Sequence, residues 1–472
     1  MTAEDATRSG VETYGHCDPR FSRVREVFDG HFAGGEELGA AFAVFVDGEP
    51  VVDLWGGIAD RRSGRPWERD TPVLAYSCTK AVTATVALSL TERGLLDVSA
   101  PVADVWPEFA RRGKERVTVE HLLTHQAGLP AIEEPVPVEE FEDQAAIADR
   151  LAGQAPIWEP GTAHGYHALT YGFLVGEVIR RVSGRSVAEI VAAEIAGPSG
   201  LDLWVGADGE VAERAARLSA GDRRPPSDGD AAAPVAPDTS AEEPAAGNGT
   251  SGNGTGGNGT GGERLDGRPV SGNAADGRPV SGNPAGGESV NGNTAAGDGG
   301  EDPLLLMARA SADRNSLMNR ALGNPPIHLL PGGANNPVVL RAGWPAMGAV
   351  TTARGLAGFY RDLVAGRIVR PQTLREATRR RVNGPDRVLF VDSSFGLGYM
   401  RPSMTFLTPP AGAETAFGHT GMGGSLGLGD AGHGLGMAYT MNRMAGAVSG
   451  GLRGYRLAEA VYASLSQDRP AR

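Results

Sequence analysis

The stretch Thr71–Leu90, "TPVLAYSCTKAVTATVALSL", decides how the rest of the chain is read. Val82, Val86 and Leu90 recur at four-residue spacing, which predicts a helix starting near Ser77 and stopping at Gly94. Ser77 and Lys80 then project from one side, one turn apart. Two readings of the pair stand open. Ser77 is the N-cap of the helix and Lys80 a solvated charge, or Ser77 is a nucleophile and Lys80 its base. A serine hydroxyl is weak and needs a base within hydrogen-bond reach. A lysine serves only if burial or a second cation lowers its pKa.

Composition sharpens the question. Among 44 basic residues only Lys80 and Lys114 are lysine. Arginine cannot release its proton in a protein, whereas lysine can. With 25 serines and 2 lysines in 472 residues, S-x-x-K is expected far less than once by chance, and it occurs once. The formal net charge of −13 argues against nucleic-acid or anionic-membrane partners. The N-terminus shows no signal-peptide pattern, and no apolar run approaches a membrane span. With only Cys17 and Cys78, a disulfide framework is not expected and a cytoplasmic location fits. Cys78 reads as a small buried side chain.

Outward from this helix, "AAFAVFV", the turn pair Asp47–Gly48 and "EPVVDLWGG" predict a β-hairpin. Residues 100–205 read as mostly helical, with one helix ending at Gly184. From 219 to 302 the composition collapses. Residues 221–300 hold 21 glycines and no aromatic residue, "DGRPVSGN" occurs twice and "GNGT" three times. Such a segment cannot bury enough apolar area to offset its ordering entropy, so a disordered acidic insert is expected, with an interaction tether as one reading of its role. Beyond it, 304–322, 352–366 and 453–467 read as helices. "SSFGLGYMRPS", "AFGHTGMGGSLGLGD" and "GLGMAYTMNRM" read as strands with Gly-rich turns. The order predicts an α+β fold, an antiparallel sheet built from both ends of the chain with a mostly helical region inserted. The expected boundaries are 18–76 and 385–468 for the sheet domain, and 77–218 and 303–384 for the helical domain. Residues 1–17 are expected to be flexible.

Four segments resemble the serine β-lactamases, penicillin-binding proteins and their esterase relatives, in that family's order. They are "YSCTK", "VTVEHLLTHQAGLP" (117–130), "WEPGTAHGYHALTYGFLVGEVIRRVSG" (158–184) and "FGHTGMGGS" (417–425). The nearest branch is class C-like and includes family VIII carboxylesterases. The resemblance implies a β-lactamase/transpeptidase-like fold and Ser77 as the acyl-forming nucleophile. Lys80 is then proton acceptor or relay, and Tyr166 its phenol partner. It further implies a pocket wall of His419, Thr420 and Gly421, with an oxyanion hole made by the N–H groups of Ser77 and Met422. Two positions depart from the pattern. His419 stands where true β-lactamases carry lysine, which disfavours a substrate carboxylate and favours neutral esters. Ala168 stands where the family's Y-x-N asparagine would be.

His164 and His167 are pocket polar groups or exposed loop histidines, and His125 is structural. "GGSLG" (423–427) satisfies G-x-S-x-G, but it lacks the strand–turn–helix context of a nucleophile elbow. No zinc, Walker or dinucleotide motif occurs, so no metal or cofactor is expected. The expected function is hydrolysis of short-chain acyl esters through a Ser77 acyl-enzyme, on a small-molecule ester or amide. The alternatives are β-lactam or D-amino-acid peptide hydrolysis, acyl transfer, and a catalytically silent ligand binder.

Overall fold

The computed structural model describes residues 11–220, 302–446 and 450–467. The expected insert, apart from its first two residues and its last, lies outside the described residues, as do residues 1–10.

The predicted hairpin is the centre of the sheet. Strands β2 (Gly39–Val46) and β3 (Glu49–Asp60) pair antiparallel across Asp47 and Gly48, both at positive φ as a type I′ turn requires. Strand β1 (Thr13–Cys17) pairs with β3, and the C-terminal strands β4 (Ala416–Thr420), β5 (Leu426–Asp430) and β6 (Leu435–Met441) complete the order β1-β3-β2-β6-β5-β4. The chain ends meet at β2 and β6, where Phe42 faces Tyr439 and Val44 faces Met437. This is the expected α+β architecture.

Strand β2 is buried on both faces, so its apolar run shows little alternation. Ala40, Phe42 and Val44 pack with helices α1 (Ser22–Ala33) and α5 (Leu452–Gln467), through Phe28, Leu457 and Val461. Ala41, Ala43 and Phe45 share a core with Leu356, Phe359 and Tyr360 of helix α4 (Ala353–Val364). The glycines read as turns in "GLGD" and "GLGM" have another purpose. A Cβ on Gly436 would lie 2.5 Å from the Arg361 backbone nitrogen, and one on Gly427 would lie 2.5 Å from the Tyr360 ring. Glycine here lets α4 lie directly on the sheet. Gly436→Ala should force helix and sheet apart and cost roughly 1–3 kcal/mol, read as a lowered thermal midpoint.

Three boundaries differ from the sequence reading. Residues 13–17 form an edge strand rather than flexible chain. Its side chains are mostly exposed, so hydrophobic patterning gave no signal. The helical region 303–384 is not of one kind, because α4 belongs to the sheet's packing. The helix expected over 304–322 is two, Pro303–Ala312 and Leu317–Gly323, and Ser316 caps the second by accepting the Asn319 N–H. Among the described residues no helix is long and apolar enough to cross a membrane.

Candidate active site

Helix α2 spans Thr79–Glu92. It starts two residues later than expected, and Ser77 is not its cap. Ser77 stands in a tight turn where the Lys80 N–H bonds the Ser77 carbonyl and the Thr79 N–H bonds that of Tyr76. Tyr76 has φ +47°, a left-handed conformation costly for a bulky side chain. Thr79 holds the turn: its hydroxyl donates to the Tyr76 carbonyl at 2.6 Å and accepts the Ala349 N–H at 2.9 Å. Strain held by its surroundings at the residue before the candidate nucleophile is typical of functional turns.

Nearly every position of α2 is buried, Lys80 completely. Its Nζ lies 3.1 Å from Ser77 Oγ and donates to the carbonyls of Ala168 (2.7 Å) and Ala346 (3.0 Å). Among the described residues no carboxylate pairs with it, and burial holds its pKa well below the ordinary lysine value. The neutral amine has two N–H bonds and one lone pair. As an ammonium Lys80 donates to all three oxygens; as a free amine it would keep its two hydrogens on the carbonyls and turn its lone pair to the Ser77 hydroxyl. The missing amide at Ala168 therefore removes no support from Lys80, because this residue contributes its main chain.

Tyr166 is 3% exposed, and Lys80 Nζ sits 4.8 Å from its ring centroid. Burial pushes its phenol pKa up, and a hydrogen bond with Ser77 opposes the shift. With Lys80 also pushed toward neutrality, Tyr166 rests as a phenol rather than a phenolate. As a phenol it can donate and relay a proton.

Tyr166 is fixed by a network that sequence reading missed. Asp386, itself buried, accepts N–H bonds from Tyr166 (3.0 Å), Val388 (2.8 Å) and Leu389 (2.9 Å). Its other oxygen accepts the Ser393 hydroxyl (2.8 Å), which also meets His164 Nε2 at 3.0 Å. Asp386 after Gly384–Pro385 is an Asx-turn signal, legible in hindsight only as a turn. His164 and His167 are both buried, not exposed loop residues. His167 is satisfied at both nitrogens, donating to the Gly165 carbonyl and accepting the Leu129 N–H, so its role is structural. His125 accepts the His167 N–H and packs against Tyr166, Tyr171 and Phe395, in keeping with the structural role expected of it.

The His419–Thr420–Gly421 segment ends strand β4 and meets the Ser77 turn. The Cys78 thiol reaches the His419 carbonyl at 3.3 Å. A Cβ on Gly421 would lie 2.4 Å from the Ala75 carbonyl, so only glycine permits this approach. Met422 follows in a short turn closed by Gly424 N–H to Gly421 O, with Gly421 N–H bonded to Ser425 O. His419 Nδ1 faces the Thr420 carbonyl at 2.7 Å and must carry the proton. Its Nε2 is a buried lone pair without a partner among the described residues. Burial, then Lys80, holds the His419 pKa down to about 3, so the ring is neutral.

Ser425, the G-x-S-x-G serine, is fully buried, and its hydroxyl has no partner among the described residues. Asp430 and His433 pair with each other at 3.0 Å, and Asp430 accepts the Tyr462 hydroxyl. That pair stabilises a hairpin rather than serving Ser425.

A family model named Beta-lactamase matches residues 24–462. The esterase/beta-lactamase LipL of Mycobacterium tuberculosis is 31% identical over 453 residues, 94% of this chain and 86% of that protein. Two solved structures superpose with TM-score 0.72 over 96% of this chain and all of theirs. One is a penicillin-binding-protein homologue from Caulobacter crescentus, 33% identical, and the other a family VIII carboxylesterase, 31% identical. The chain belongs to the beta-lactamase family and is a hydrolase of its serine β-lactamase/esterase kind.

Proposed function

We propose that this protein cleaves short-chain acyl esters through an acyl-enzyme on Ser77. The observation that carries this reading is the buried Lys80 amine 3.1 Å from the Ser77 hydroxyl, its pKa lowered by burial. Lys80 takes the Ser77 proton as Oγ attacks the ester carbonyl. The oxyanion is met by the N–H groups of Ser77 and Met422, each such donor typically worth ~3–4 kcal/mol. Tyr166, hydrogen-bonded to Ser77, passes its proton to the departing alkoxide and takes the proton held by the Lys80 ammonium in return, which restores the free amine. Lys80 then takes a proton from water as it attacks the acyl-enzyme, and returns it to Ser77 Oγ as the acyl bond breaks.

Neutral His419 favours esters, since this position offers no positive charge to a substrate carboxylate. Hydrolysis of a β-lactam is the second reading, favoured by the dual esterase/beta-lactamase name of the Mycobacterium tuberculosis relative. Turnover of p-nitrophenyl butyrate against a chromogenic cephalosporin separates the two. The ester should lead in kcat/KM by about a hundredfold or more, the scale expected when a buried charged group lacks a partner. Equal or faster cephalosporin turnover would reverse the assignment.

A further inference from the structure

Arg453 lies near the start of α5, and nothing in the chemistry above uses it. It is 7% exposed, and each of its two terminal guanidinium nitrogens makes two hydrogen bonds. Nη1 donates to the buried Glu37 carboxylate at 2.6 Å and to the Glu36 carbonyl at 2.9 Å. Nη2 donates to the Arg443 carbonyl at 2.7 Å and to the Gly423 carbonyl at 3.3 Å. Glu37 is fully enclosed, and the Tyr439 hydroxyl donates to its other oxygen. One fork thus ties a buried carboxylate to the turn that carries Met422.

The turn is closed by the Gly421 N–H to Ser425 O and Gly424 N–H to Gly421 O bonds, and Arg453 holds it from the outside at Gly423. Gly423 sits at φ +83°, and its carbonyl also accepts the Ala445 N–H at 2.9 Å. Its Cα packs against Met444, where a Cβ would come within 2.9 Å. The Gly423–Gly424 peptide whose carbonyl Arg453 grips also donates its Gly424 N–H to the Gly421 carbonyl, the other end of the peptide that carries the Met422 N–H. Two successive glycines leave that linking peptide to be oriented by its partners. A donor aimed at a developing oxyanion works only if its direction is fixed before reaction. A buried ion pair is a poor device for stability alone, because apolar residues of similar volume often do as well or better.

We infer that Arg453, oriented by Glu37, is a positioning residue that fixes the direction of the Met422 N–H. It grips the Gly423 carbonyl from behind the turn and never touches substrate. The inference rests on the reading of Met422 as an oxyanion donor.

The test compares Arg453→Met, Arg453→Lys and the double change Glu37→Gln with Arg453→Met, using p-nitrophenyl butyrate kinetics and thermal melting. Arg453→Met should lower kcat by about 10- to 100-fold with KM changed by less than about twofold, as expected when geometry rather than binding is lost. Arg453→Lys should recover part of kcat, since one ammonium can keep one of the two grips. The single Met variant also strands the Glu37 charge and should melt lower. The double variant removes both charges, so its melting temperature should recover while kcat stays low. Recovery of kcat together with melting temperature, an effect confined to KM, or an unchanged kcat would each overturn the inference. None of these outcomes would touch the nucleophile assignment, which fails separately if Ser77→Ala retains turnover.

Discussion

Lys80→Arg is expected to lower ester turnover by ~10³-fold, although the formal charge at the position is nominally conserved. General-base removal is typically worth ~10²–10⁴ in rate. The reason is protonation. Lys80 is enclosed, bonded to two carbonyls and, among the described residues, paired with no carboxylate, so burial favours the uncharged amine. Arginine keeps its proton under the same pressure and has no lone pair to offer Ser77. Arginine is also larger than the cage, so Lys80→Met is the companion variant. It is close in length, cannot accept a proton, and should fall as far while far-UV circular dichroism stays native.

The pH profile tests the same point in the unmodified protein. The competent base is the free amine, so activity is lost as pH falls through the Lys80 pKa. That acid limb should have its midpoint well below the ordinary lysine value of 10.5. His419 adds no limb near 6.5, because its pKa is held down to about 3. A profile still rising through pH 10 would show that Lys80 rests as an ammonium.

Ser77→Ala should be the most damaging single substitution, lowering kcat by ~10⁴-fold or more, since no acyl-enzyme can form. Ser425→Ala, the control at the other serine motif, should leave turnover within about twofold. Ser425 is wholly buried, and its hydroxyl has no partner among the described residues. The contrast is informative because the motif at Ser425 is the better known short pattern, while the geometry favours the other.

Much of the sheet was legible because its signals are local. Asp47–Gly48 can form only a narrow set of turns, and the apolar runs on either side have strand length. Edge strand β1 was not legible, since an exposed strand carries no apolar alternation. The role of Gly427 and Gly436 was misread because helix-on-sheet contact is a property of two distant segments. At the site, Ser77, Lys80, Tyr166 and His419–Gly421 were named from short motifs, and the fold brings them together. Asp386, the Ala346 carbonyl and Arg453 were not legible. Each acts through backbone groups of a segment remote in sequence, and backbone acceptors leave no residue signature.

Identification of the nucleophile tests the central claim most directly. The intact protein would be treated with a fluorophosphonate, digested, and the adduct located by mass spectrometry. The account predicts one phosphonyl adduct, on Ser77, and none in Lys80→Met over the same time. An adduct on Ser425, or labelling at Ser77 unaffected by loss of Lys80, would contradict it.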